Sequence, residues 1–163
     1  DQVFGIFKAY CTRVGSGPFP TELFDKDGED LRKVGNEFGA TTGRPRRCGW
    51  LDIPALNYAC MLNGVTQLFM MKADVLSQVD SVKICESYNH NGIDSKEFPY
   101  EYNDSYSPNV IEVDNWELNG IPTYDKLPEN LHAFISRVEA SDDVPITLIS
   151  LGLDRKATVL KKS

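Results

Sequence analysis

No Gly-Lys dipeptide occurs anywhere in the 163 residues, so the chain holds no Gly-x-x-x-x-Gly-Lys-[Ser/Thr] phosphate loop. A nucleoside triphosphate needs a cradle for its phosphates, and any such cradle would have to lie elsewhere. Histidine is almost as scarce: only His90 and His132 occur, one beside a turn and one at a helix start, and both read as packed or solvated. None of the four cysteines (Cys11, Cys48, Cys60, Cys85) stands in a Cys-x-x-Cys pair, which argues against a zinc cage. A chain this long does not need disulfides, so the cysteines read as reduced thiols of a cytosolic protein. No apolar run approaches the roughly 20 residues of a membrane span, and the first residues do not resemble a signal peptide. Positive charge is in deficit as well. The formal charge of −7 disfavours nucleic acid and anionic membranes unless a local basic patch overrides it.

What is present is globular in character, with 41% hydrophobic and 25% charged residues. The chain opens at Asp1 without an initiator Met and runs into Val3-Phe4-Gly5-Ile6-Phe7, compatible with a processed protein or with a piece of a longer one. Residues 3–14 read as a short apolar helix or strand. The two glycines and two prolines of 15–20 forbid regular structure there, Thr21 and Glu22 read as the start of a helical turn, and Asp27-Gly28 as a turn. Residues 33–49, with four glycines and three arginines, form a long loop. Asp52 and Pro54 start a helix on which Leu51, Ala55, Tyr58, Leu62 and Val65 recur at helical spacing, ending near Gly64. Gln67–Met71 predicts a buried strand, 75–79 a short helix, 81–88 a half-buried strand and Asn91-Gly92 a hairpin turn. Residues 94–126 read as an irregular surface excursion with short strands around 110–113. A second helix follows Pro128 with Leu131, Phe134, Ile135 and Val138 on one face, and 144–150 is a buried strand closed by Gly152. Helix then strand, twice over, predicts an α/β fold with a mostly parallel sheet and flanking helices.

The most informative segment is Gly39-Ala40-Thr41-Thr42-Gly43-Arg44-Pro45-Arg46-Arg47. Its glycines allow a tight backbone whose N–H groups can form an anion nest, and its threonine hydroxyls add donors. Arg44 and Arg46 each present a planar fork matched to a carboxylate or phosphate. The alternative is a solvated basic turn. Gly43-Arg44-Pro45 also resembles the centre of an AT-hook, but Thr42 stands where such hooks carry Arg, and the chain around it is acidic.

Lys72-Ala73-Asp74 follows a predicted strand, where open α/β sheets bind ligands. The Asp74 carboxylate could accept from N1–H and the 2-amino group of guanine, which adenine cannot match, while the stem of Lys72 lies over the base. Ser150-Leu151-Gly152 closes another strand: Gly152 lets a base edge approach the backbone, and Ser150 can bond a carbonyl oxygen. Taken singly, a surface ion pair and a plain strand ending are the better explanations of these two triplets.

The run 13–23, from Arg13-Val14-Gly15 to Thr21-Glu22-Leu23, and the run 35–52, Gly35-Asn36-Glu37-Phe38-Gly39-Ala40-Thr41-Thr42-Gly43-Arg44-Pro45-Arg46-Arg47-Cys48-Gly49-Trp50-Leu51-Asp52, resemble the signature segments of adenylosuccinate synthetases. Met71-Lys72-Ala73-Asp74 resembles that family's Thr-Lys-Leu-Asp guanine motif, and 149–155 its Ser-x-Gly-Pro-x-Arg close, with Met71 and Leu153 departing from the usual Thr and Pro. The likeness covers nearly the whole chain and is weakest across 89–126. It implies the C-terminal portion of a larger GTP-dependent ligase fold that makes adenylosuccinate from IMP, L-aspartate and GTP in purine biosynthesis. It further implies an aspartate loop over Ala40, Thr41, Thr42, Gly43, Arg44, Pro45 and Arg46 within a loop region 35–50. Arg44 and Val14 would reach IMP. Arg46, Lys72, Ala73, Asp74, Ser150, Leu151 and Gly152 would reach GTP, the guanine elements spanning 71–75 and 149–153. The family's phosphate loop, catalytic Asp and His, and magnesium belong to its N-terminal part, so no catalytic or metal residue is expected here and these residues alone should show no turnover. A cytoplasmic homodimer is implied too. A nucleotide- or dicarboxylate-binding module without chemistry is the alternative.

Overall fold

The computed structural model describes residues 1–120, 123–141 and 143–161. The apolar opening is extended, not helical: β1 (Phe4–Lys8) and β2 (Cys11–Arg13) flank the buried pair Ala9-Tyr10. Two expectations fail in the next stretch. Thr21 and Glu22 begin no helix; Thr21 is buried and Glu22 bridges to Gly49. Asp27-Gly28 is not a turn but the first turn of α1 (Lys26–Val34), whose N-cap Asp25 accepts a hydrogen bond from the Gly28 N–H. Asp27 and Glu29 in the first turn and Arg32 and Lys33 in the last suit the helix dipole. The helix is amphipathic but poor in apolar residues, with Leu31 its single buried large apolar side chain.

The long loop therefore spans 35–46 and ends at β3 (Arg47–Gly49), followed by β4 (Leu51–Asp52) and α2 (Ile53–Asn63). Asp52 caps α2 as expected, accepting from the Ala55 N–H at 3.1 Å, and Gly64 ends it in the left-handed region. Its apolar face differs from the spacing-based one. Tyr58 and Leu62 face outward, Leu62 63% exposed, while Ile53, Pro54 and Cys60 are buried. Apolar residues ring this helix on all sides, so spacing does not select a face.

After β5 (Gln67–Met71), α3 (Ala73–Leu76) starts two residues earlier than predicted. The β6 (Val82–His90) and β7 (Ile93–Ser95) hairpin turns at Asn91 and Gly92, both at positive φ as a two-residue turn of this kind requires. Within the 94–126 excursion, where Ile121 and Pro122 lie outside the described residues, β8 (Tyr106–Val113) is a full strand paired antiparallel to β6. Trp116 from the same stretch is buried and donates its indole N–H to the Ala73 carbonyl. Helix α4 (Glu129–Glu139) buries Leu131, Phe134, Ile135 and Val138 as their spacing predicts. Strand β9 (Ile146–Ser150) is joined by an unforeseen β10 (Thr158–Leu160).

The main sheet has the order β1-β5-β9-β10, parallel except for the last pair, and a second sheet sets β4 parallel and β7 and β8 antiparallel to β6. Strands β2 and β3 form an antiparallel ribbon. Because β1, β5 and β9 run the same way, their carboxyl ends at Lys8, Met71 and Ser150 open on one edge.

The ribbon packs tightly where it meets the 21–22 segment. A Cβ at Gly49 would stand 2.3 Å from the Thr21 carbonyl oxygen. Gly49→Ala is expected to lower stability by about 2 kcal/mol or more, since backbone must move to admit the methyl. Chemical denaturation of the whole protein measures it, and an unmoved midpoint would show that the Thr21 segment yields freely.

Candidate functional site

Two groups of predicted residues meet along the carboxyl edge of the main sheet. The first is the arginine loop. Phe38 bridges to Pro45, the Gly39 N–H donates to the Arg44 carbonyl, and the Gly43 N–H to the Gly39 carbonyl, both at 2.8 Å. These bonds close 39–44 into a compact tip, with Gly43 at φ +64 supplying the left-handed turn. Ala40, Thr41, Thr42, Gly43, Arg44 and Pro45 are all exposed. Among the described residues the Arg44 guanidinium has no ion-pair partner, so its fork is available to a ligand.

Arg46 is held differently. Its N–H donates to the Glu37 carbonyl, its carbonyl accepts from Arg32 Nε at 2.9 Å, and its Nη1 meets Glu37 Oε2 at 2.7 Å. Val14 is 71% exposed and follows Arg13, which pairs with Arg47 across the ribbon, so it stands at the foot of the loop. The glycine- and proline-rich turn after it is irregular, as expected, yet it is ordered by two arginines. Arg13 donates to the Ser16 and Pro18 carbonyls, while Arg47 donates to the Gly15 and Gly17 carbonyls and pairs with Glu22.

The second group lines a cleft of about 340 Å³. Lys72, Asp74, Ser150 and Gly152 all border it, together with Gly35, Asn36, Met71 and Leu153. Ala73 and Leu151 do not line it: both are buried, and the Leu151 N–H is committed to the Ala157 carbonyl. The Asp74 carboxylate makes no hydrogen bond to any described residue, and only its backbone carbonyl is used, by Ser77 and Gln78. Lys72 sits at φ +65, a conformation that bulky residues seldom adopt, and extends its ammonium to the Gly35 carbonyl at 2.6 Å. Ser150 Oγ donates to the Gly152 carbonyl at 3.1 Å. The Leu153 side chain, where the family usually has Pro, is almost wholly exposed at the rim.

Glu37 joins the two groups. It is 1% exposed, and its carboxylate accepts from Lys8 Nζ at 2.8 and 2.9 Å, from the Tyr10 hydroxyl at 2.6 Å and from Arg46, with Lys72 Nζ at 3.8 Å. Burial alone would push this carboxyl up, but the bonds from Lys8, Tyr10 and Arg46 outweigh it and hold the group below the ordinary carboxylate range. The Tyr10 phenol is pushed upward, first by burial and then by the Glu37 bond and charge. Sequence inspection quotes Glu37 as part of a run and assigns it no role. A lone acid between two basic stretches was the available signal.

A family profile described as adenylosuccinate synthetase matches residues 1–159. The chain belongs to the adenylosuccinate synthetase family. It is 50% identical over 162 residues to an adenylosuccinate synthetase of Parabacteroides distasonis, covering 98% of this chain and 38% of that protein. It is 55% identical over 164 residues to one of Cytophaga hutchinsonii, with the same shares covered. The solved structure of a fully ligated adenylosuccinate synthetase from Plasmodium falciparum superposes with a TM-score of 0.92 at 37% identity, over 99% of this chain and 40% of that one. This chain thus spans about two fifths of the length of the synthetases it matches. The mixed α/β sheet with flanking helices is the architecture shared with that solved synthetase. Among the described residues no helix is long and apolar enough to cross a membrane.

Proposed function

We propose that this chain forms the C-terminal portion, residues 1–163, of a GTP-dependent carbon–nitrogen ligase that makes adenylosuccinate, GDP and phosphate from IMP, L-aspartate and GTP. One observation carries the proposal. Lys72, Asp74, Ser150 and Gly152, drawn from distant stretches, converge on one cleft that is also lined by Gly35-Asn36, the residues leading into the arginine loop. A guanine seated there meets Asp74, whose carboxylate can accept from both N1–H and the 2-amino group, while the Ser150 hydroxyl, turned from the Gly152 carbonyl, donates to a base oxygen and the Lys72 stem lies along the ring. Ala73 and Leu151 shape the floor from behind. In the loop, Arg44 and the Thr41 and Thr42 hydroxyls grip the two carboxylates of aspartate. Arg44 also reaches IMP, whose ribose packs on Val14, and Arg46 reaches GTP.

The chemistry asks the 6-oxygen of IMP to become a good leaving group by phosphorylation, after which the aspartate amine displaces it. What these residues supply is alignment: a doubly charged amino acid held beside a purine, so that attack is intramolecular in effect. Among the described residues no cluster of three or more carboxylate, imidazole or thiolate groups could hold a metal ion. The magnesium ligands, the phosphate loop and the catalytic Asp and His would come from the further length that relatives possess, and residues 1–163 alone would not turn over. A cytoplasmic homodimer belongs to the same proposal.

The test is turnover by the protein expressed from its whole coding sequence. With IMP, aspartate and GTP, adenylosuccinate and phosphate should form in equal amounts, and omitting aspartate should abolish the product. Binding of IMP and GTP with no adenylosuccinate formed would turn the assignment into that of a binding module.

A further inference from the structure

Glu37 has a place in the fold that neither ligand group explains. A side chain 1% exposed cannot touch a bound nucleotide or amino acid, yet it contacts residues of both groups. Three cations, Lys8, Arg46 and Lys72, surround this one carboxylate within 3.8 Å, and the Tyr10 hydroxyl completes the shell. Without a central negative charge the three would repel one another, and the longer side chains would swing to solvent and sample many rotamers. The backbone puts the acid there deliberately. Asn36 at φ +51 reverses the chain after α1, and the Glu37 N–H and carbonyl are tied to the Arg32 carbonyl and the Arg46 N–H. Gly35 and Asn36, the two residues before it, line the base cleft, and Phe38 opens the arginine loop.

We propose that Glu37 is a positioning residue that presets Arg46 and Lys72 for the nucleotide, tying the foot of the arginine loop to the base cleft through one buried anion. The inference rests on the reading of Arg46 as a contact of GTP. Its mechanism is preorganisation: rotamer entropy of two long cationic side chains is lost on folding and not again on binding. The cluster also keeps an excess of two positive charges around Glu37, a field that favours an incoming polyphosphate.

The test uses the whole protein with Glu37→Gln, Arg46→Leu and the pair together. Glutamine has the shape of glutamate, but its amide has to face either Arg46 or Lys8 with a donor. Glu37→Gln is expected to raise KM for GTP about tenfold, as for one charge-assisted hydrogen bond, with kcat changed by less than about twofold. In the Arg46→Leu background the same substitution should raise KM for GTP by only about threefold, because one of the two groups it acts through is gone and only Lys72 remains. A tenfold rise that persists in that background, or no rise in a folded Glu37→Gln protein, overturns the proposal and leaves the GTP contact standing. An unchanged KM in Arg46→Leu alone sinks the contact itself and the proposal with it. Should Glu37→Gln fail to fold, Tyr10→Phe keeps the buried ring and removes only the 2.6 Å bond. It is expected to raise KM for GTP about threefold and to lose most of that effect beside Arg46→Leu; no rise counts against Glu37.

Discussion

Arg44→Leu in the whole protein is expected to raise KM for aspartate by about 100-fold or more, with KM for GTP within about twofold, because two charge-assisted hydrogen bonds of roughly 1.5 kcal/mol each are lost. The structure sharpens this expectation. Arg44 stands on the exposed loop tip, its backbone carbonyl fixed by the Gly39 N–H while its guanidinium has no partner among the described residues. Leucine preserves the backbone closure and removes only the fork. Loss of folding is therefore not the expected cause of any defect, and near-native thermal unfolding should accompany it. A smaller rise in KM for IMP follows if the same fork also reaches that nucleotide. Steady-state kinetics with each substrate varied in turn decide the matter. An unchanged KM for aspartate would remove the loop from the amino-acid site.

Asp74→Asn is expected to reverse base preference. Carboxylate oxygens accept from the N1–H and 2-amino group of guanine; an amide keeps one acceptor and gains a donor, which suits the 2-carbonyl of xanthine. In a partly desolvated cleft the mismatch leaves a polar pair unsatisfied, so kcat/KM for GTP should fall by roughly 100-fold while that for xanthosine triphosphate rises. The observation behind this is that Asp74 borders the cleft and no described residue donates a hydrogen bond to its carboxylate. Native GTP selectivity in the variant would reject Asp74 as the reader of the base.

The contrast between Arg44 and Arg46 shows what could be read in the chain and what could not. By residue type and spacing they are near-equivalents, two forks on one loop. Among the described residues one is exposed with no ion-pair partner, and the other is pinned to a buried acid. The difference lies entirely in Glu37, and the partners of Glu37 are Lys8 and Tyr10, Arg46 and Lys72, which come from three separate stretches of the chain. Similarly, α1 is amphipathic but poor in apolar residues, burying one large apolar side chain, and its Asp27-Gly28 pair reads locally as a turn. The outward face of α2 could not be foreseen, because that helix is apolar all round.

The residues alone determined the α/β class, the capped start and glycine stop of α2, the buried face of α4 and the Asn91-Gly92 hairpin. Each of these depends on local backbone preference or on periodicity, both of which are written in neighbouring positions. Only the tertiary structure decided that the 72–74 and 150–152 segments share one cleft, that Ala73 and Leu151 turn away from it, and that a single buried carboxylate links it to the loop. The reason is physical: convergence at the carboxyl ends of parallel strands, and the neutralisation of three cations by one acid, depend on distances in space that separation along the chain does not encode.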